Sequence, residues 1–193
     1  MKSHVSEDVF KAYLEKHGLK YEEHFPVHPG NVDFRITSNG VIVLCDVKAV
    51  TVGGEDYSAP IAAKRNIRDD LQKLKRKFAV EPSDSCVLVS MNYSSGLYSL
   101  FSIVEGMFGD RSVEFNTDTN TATLVSSPRG NSVLRPDKYG SISGVLAFDP
   151  PQGKHVYIPN PHATCSVPPD FFPEAVQASD TDVDFFPVAI FKP

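Results

Sequence analysis

Two aspartates and a lysine are the residues of this chain whose types and spacing can do chemistry. Asp33 stands in the run Asn31-Val32-Asp33-Phe34-Arg35-Ile36, and Asp46 and Lys48 end the apolar run Val41-Ile42-Val43-Leu44-Cys45-Asp46-Val47-Lys48. A strand sends successive side chains to opposite faces, so Asp46 and Lys48 point one way and Val47 the other. Two carboxylates able to hold a divalent cation, with an ammonium beside them, are the working parts of metal-assisted phosphodiester hydrolysis.

Such residues need strands to carry them and helices to cover the strands. Residues 6–17 are predicted to form a helix, with Ser6 as N-cap and Glu7 and Asp8 in the first turn, where the helix dipole favours acids. Val9, Phe10, Tyr13 and Leu14 supply its apolar stripe, and Gly18 is its expected stop. Residues 20–30 contain Pro26 and Pro29 and are expected as a loop or a short edge strand. Residues 31–37 alternate Val32, Phe34, Ile36 against Asp33, Arg35, Thr37, and Ser38-Asn39-Gly40 signals a hairpin. The following strand, 41–48, is apolar on both faces until Asp46, the pattern of a central, doubly covered strand.

Residues 61–78 give the clearest helix, with Ile67, Leu71, Leu74 and Phe78 at helical spacing. A buried strand follows at 86–91 and a helix at 97–108, ended by Gly109. Residues 111–117 and 121–126 alternate around Asp118-Thr119-Asn120 as a second hairpin. Further strands are expected at 142–148 and 155–158, and from Pro159 the chain is punctuated by proline. This order predicts an α/β fold, a mixed central sheet with helices on its faces.

The bulk properties narrow the class. At 193 residues the chain is expected to form one domain. A chain of this size buries roughly 70% of its unfolded surface, so its core needs no staple. No apolar stretch reaches the roughly 20 residues of a membrane span, and the N-terminus lacks a signal-peptide pattern. The three cysteines, Cys45, Cys86 and Cys165, form no Cys-x-x-Cys pair, which argues against a zinc ribbon and fits a reducing, cytoplasmic setting. A net charge of −5 argues against an indiscriminate nucleic-acid binder, yet residues 64–77 carry seven of the 19 lysines and arginines. Within them Lys64, Arg68, Gln72 and Lys75 fall inside about 80° on the helical wheel. That basic ridge beside the apolar stripe is placed to touch a phosphate backbone. No Gly-x-Ser-x-Gly elbow supports serine hydrolysis, and no Gly-x-x-x-x-Gly-Lys-Ser/Thr loop supports nucleotide hydrolysis.

Residues 6–78 resemble the core of the PD-(D/E)XK nuclease superfamily, the restriction-endonuclease-like fold, in the style of archaeal Holliday-junction resolvases and RecB-like nucleases. The family pattern is a helix with an early acid, a strand bearing Asp, a strand ending acid-x-Lys, and a helix often bearing Gln. Here these are Glu7, Asp33, Asp46-Val47-Lys48 and Gln72. Val32 stands at the nominal proline, Asp46 replaces the more usual Glu, and the usual Gln-x-x-x-Tyr becomes Gln72-Lys73-Leu74-Lys75-Arg76. Nothing beyond about residue 92 carries the likeness. The core motif region is then 6–91, with a β-rich, proline-punctuated extension over 92–193.

The resemblance implies Mg2+ or Mn2+ held by Asp33, Asp46 and the Val47 carbonyl, with Glu7 at a second metal or a metal-bound water. Lys48 would orient the attacking water or stabilise charge on the phosphate. Gln72 would hydrogen-bond Lys48 or a phosphate oxygen, and Lys64, Arg68 and Lys75 would contact nucleic acid. The implied activity is endonucleolytic cleavage of DNA, with a homodimer as an option for cutting both strands. Bland readings stand beside these: Glu7 as a helix-start acid, Gln72 as a surface residue, the basic ridge as a solvated face, His24 and His28 as exposed loop residues, and Asn160-Pro161-His162 as a turn. A different class also stands open, a nuclease-like scaffold that binds nucleic acid or a protein without cutting. Its candidate contacts are Phe171-Phe172-Pro173 and Phe185-Phe186-Pro187. A partner-controlled defence or toxin nuclease is a third reading.

Overall fold

The computed structural model describes residues 3–28, 30–50, 59–77, 84–92, 100–109, 112–116, 121–125, 133–134, 139–149 and 153–177. In chain order these hold α1 (Ser3–Lys16), β1 (Lys20–Val27), β2 (Gly30–Ser38), β3 (Val41–Val50), α2 (Ala59–Lys77) and β4 (Ser85–Asn92). Then come α3 (Leu100–Phe108), β5 (Ser112–Asn116), β6 (Thr121–Val125), β7 (Gly144–Asp149), β8 (Lys154–Pro159) and β9 (Val176–Gln177).

A seven-stranded sheet runs β1-β2-β3-β4-β7-β8-β9, and β5 and β6 pair separately. The first three strands form an antiparallel meander. The parallel pairs β3–β4 and β4–β7 need crossovers, which α2 and α3 help supply. The fold is therefore a mixed α/β sheet covered by helices. No helix among the described residues is long and apolar enough to cross a membrane.

Local signals set the elements. Asn39 and Gly40 have φ of 50° and 79° between the paired Ser38 and Val41. Positive φ at both central residues is the requirement of a type I′ hairpin, which Asn-Gly meets at low cost. Gly18, at φ 63°, ends α1: its N–H reaches the Glu15 carbonyl and the Leu19 N–H reaches that of Leu14, a Schellman cap. The helix starts earlier than expected, at Ser3, so Ser6 is a buried helical residue rather than the N-cap, and Glu7 and Asp8 stand a turn further in. The 20–30 segment resolves into an eight-residue edge strand, β1. The β5–β6 hairpin forms, while its turn 118–120, Gly53-Gly54, Phe78 and the 185–187 motif lie outside the described residues.

The sheet divides two cores. Val43, Cys45, Val47, Val87, Val89, Leu146 and Phe148 face α1, whose Phe10, Tyr13 and Leu14 pack on them. Leu44, Cys86, Leu88, Val145 and Ala147 face Ile67, Leu71 and Leu74 of α2 and Ile103, Val104 and Met107 of α3. Phe171 and Phe172 join the α1 side, so that aromatic-proline motif packs on the body, where the Pro173 carbonyl accepts the Tyr13 hydroxyl at 2.6 Å. Asn160-Pro161-His162 is a turn, closed by the His162 N–H on the Asn160 side-chain oxygen at 3.0 Å.

Candidate active centre

The site grows out of a break in strand alternation. Phe34 and Ile36 pack on the α1 side of the sheet, but Val32, two residues before Phe34, packs on the α2 side. Alternation would put all three on one face, so β2 turns over at Asp33. Its neighbour shows the same inversion: Tyr21 packs on the α1 side and Phe25 and Val27 on the other. Between them the β1–β2 register skips the pair His24 and Asp33, and His24 takes φ 51°. The β2–β3 ladder also stops at Phe34–Cys45, one step short of Asp33 and Asp46. Asp33 thus sits where both its ladders lapse, and its side chain replaces a ladder bond: Oδ2 accepts the Val47 N–H at 2.6 Å.

Asp46 is held more rigidly. It shares the face of Leu44, under α2, and is 1% exposed. Both of its oxygens are taken by ammonium groups. Lys48 Nζ lies 2.7 Å from Oδ2, and Lys77 Nζ donates to Oδ1. Lys48 Nζ also lies 3.7 Å from Asp33 Oδ2 and donates to the Val47 carbonyl at 3.2 Å. One cationic atom is therefore ringed by Asp46, the Val47 carbonyl and Asp33. Those three oxygen sources are the ones that the family resemblance implies for a metal.

Burial raises the Asp33 carboxyl above the ordinary aspartate range, and the Asp46 charge pushes the same way. The Val47 N–H, Lys48 and Lys77 oppose that shift without cancelling it. For Lys48, burial acts to lower the ammonium's pKa, but the fields of Asp46, Asp33 and Asp70 outweigh it and the net shift is upward.

The arrangement suits a hard cation of the Mg2+ kind, which binds through one or two carboxylates and leaves its other positions to water or phosphate. Among the described residues no group of three or more His, Cys, Asp or Glu side chains is placed to hold a metal ion. The location agrees with a binding role. Asp46 and Lys48 lie toward the C-terminal end of the parallel pair β3–β4, the end at which α/β sheets receive ligands.

Asp33, Asp46, Lys48 and the Val47 carbonyl come together, as the resemblance implies they should. The other expected residues behave differently. Glu7 is half-buried on α1, which covers the opposite face from Asp46. It would join the pair only past the break in the sheet at Asp33. Gln72 is exposed and makes no hydrogen bond to Lys48. Arg68 donates to the Glu105 carbonyl of α3 at 3.1 Å, and Lys75 sits 4.3 Å from the Tyr139 ring centre. Two members of the basic ridge are thus engaged within the molecule; among the described side chains of α2 the exposed cations are Arg65, Arg76 and Lys73, the last paired with Asp70 at 3.1 Å. The Lys64 side chain lies outside the described residues. His24 and His28 are exposed.

One site residue was not anticipated, Lys77, which lies on a flank of the α2 apolar stripe three residues beyond Leu74. A lysine near a core-facing stripe at a helix end was the available signal. The late-turn preference of helices for cations masks it.

No protein-family model matches the chain, and no curated protein does. Among solved structures the chain is similar to SfsA of Pyrococcus furiosus in complex with Ca2+, at 10% identity and a TM-score of 0.31. The match covers 80% of this chain and 62% of that one, so the chain spans less than two thirds of that protein's length. A likeness this loose carries no functional weight.

Proposed function

We propose that the chain is a cytoplasmic, Mg2+- or Mn2+-dependent endonuclease of the PD-(D/E)XK type that hydrolyses DNA phosphodiester bonds. The observation that carries this reading is the single cationic position shared by Asp46 Oδ2, the Val47 carbonyl and Asp33 Oδ2. Asp33 reaches the Asp46-Val47-Lys48 run from the neighbouring strand β2, at the point where the β2–β3 ladder has stopped. A divalent ion held by these oxygens would polarise the scissile phosphate and acidify a bound water.

The chain's own groups account for the rest. Asp46, fixed by burial, sets where the phosphate must come. Asp33 is largely buried but less so than Asp46, with 18% of its side chain exposed against 1%. Once free of the carboxylates, Lys48 would stand beside the attacked phosphorus, orienting water and meeting the charge that builds on the phosphate oxygens. Arg65, Lys73 and Arg76 would approach the flanking backbone phosphates. Two copies would be needed to cut both strands of a duplex together.

A second reading is favoured by a specific observation: both Asp46 oxygens are already paired with ammoniums, so the site is satisfied without a metal. That is what a nuclease-like binding scaffold would keep. Cleavage of supercoiled plasmid, single-stranded DNA and RNA in Mg2+, Mn2+ or EDTA separates the two. Metal-dependent cutting of either DNA supports the nuclease. A folded protein that cuts none of them, with any metal, leaves the scaffold standing.

A further inference from the structure

Lys77 has no part in the expected motif, yet it holds half of the most deeply buried carboxylate in the site. Asp46 is 1% exposed, and its Oδ1 is bound by Lys77 while Oδ2 is bound by Lys48. Two carboxylates thus face two ammoniums, Asp33 and Asp46 against Lys48 and Lys77. A cation entering this neutral group meets occupied oxygens. The two lysines are not equivalent. Lys48 is tied to three oxygens at once, on Asp46, Asp33 and Val47, and belongs to the floor of the site. Lys77 reaches in from the last turn of α2, and its side chain is 30% exposed. A flexible four-carbon stem can carry its ammonium from Asp46 to solvent without moving the helix. Its two predecessors, Lys75 and Arg76, make that end of α2 strongly basic.

Resting on the nuclease reading above, we propose that Lys77 is a positioning residue that competes with the divalent cation for Asp46. Its ammonium keeps the carboxylate in place while the site is at rest. Were a cation to bind at Asp46, Lys77 would swing outward and pair with a phosphate of the incoming DNA. The charges would balance with the substrate in place: the dication brings one positive charge more than the ammonium it replaces, which the scissile phosphate offsets, and the released ammonium gains a flanking phosphate.

The role predicts opposite signs for two measurements on the full chain. In Lys77→Met, Mn2+ affinity, read by electron paramagnetic resonance of free Mn2+, rises by about tenfold or more, because one unit charge a few ångströms from the metal is removed. In the same variant DNA affinity falls, and the salt dependence of binding loses about one unit of slope. Lys77→Arg keeps the charge and holds both quantities near wild type. A side chain with a merely structural role would not move the two affinities in opposite directions. Unchanged or weaker Mn2+ binding in a cooperatively melting Lys77→Met overturns the proposal. Lys77→Gln serves in its place if the Met variant does not fold. Wild type that binds Mn2+ without the tightening defeats this inference alone, whereas no Mn2+ binding by wild type or any variant defeats the nuclease reading with it.

Discussion

The two faces of the sheet are built from different materials. Against α1 the core is aromatic. Phe10 meets Phe34 and Phe148 edge-on at 5.3 and 5.6 Å, and Tyr13 meets Phe148 at 4.9 Å. Tyr157 and Phe172 extend the cluster under the 167–175 segment. Against α2 and α3 the core is mainly aliphatic, and at the C-terminal end of β3 it gives way to charge. Interlocking rings resist rearrangement, since each fills a specific volume and orients its neighbours. Buried ion pairs gain little net stability, because desolvation offsets their attraction. Both faces therefore bury a core, while the α2 face also keeps a set of charged groups whose arrangement stability alone does not explain.

The largest effect on folding is expected from the aromatic face. Phe10→Ala should destabilise by about 3–5 kcal/mol through loss of buried area and an unfilled cavity. Denaturant unfolding measures this. Mn2+ affinity, taken at a temperature where the variant is folded, should stay near wild type. A large loss of metal binding in the folded variant would break the division between the faces.

A smaller effect, on the charged face, is set by pH. Asp33 has its pKa raised above the ordinary 3.8. Its protonated form is therefore favoured by folding, so its contribution to stability is greatest below 3.8 and declines as pH rises through the raised value. Metal binding needs the carboxylate and changes the other way. Mn2+ affinity should start to fall above the pH at which an ordinary aspartate titrates, by about tenfold per pH unit once below the raised value. In Asp33→Asn this limb should disappear, along with much of the affinity. An acid limb confined to the region around 3.8 would contradict the desolvated site.

The smallest effect is expected at Gln72. It is exposed on α2, so Gln72→Ala should change stability by no more than about 0.5 kcal/mol. Cleavage should stay within about twofold. A larger loss of activity would return Gln72 to the site.

Local chemistry made much of this fold legible. The Asn39-Gly40 hairpin, the Gly18 cap, the α2 stripe and the doubly covered β3 all rest on signals carried within a few residues. Asp33, Asp46 and Lys48 were legible for the same reason, as charges interrupting strand patterns. What was hidden depends on long-range placement. Alternation alone cannot show β2 turning over at Asp33, because the skip is shared with His24 of the neighbouring strand. Lys77 reads as a helix-end cation until α2 is laid across β3. Arg68 and Lys75 read as a free ridge until α3 and Tyr139 engage them. The start of α1 lies one turn earlier than the Ser6 signal placed it, at Ser3.

The most direct test of the active centre is nicking of supercoiled plasmid in Mg2+ by wild type and by Asp46→Asn at matched concentrations, with circular dichroism establishing that both are folded. The account predicts metal-dependent nicking by wild type and a loss of at least about a hundredfold in the variant, since the proposed buried metal ligand is gone. Equal nicking by the two proteins would contradict it.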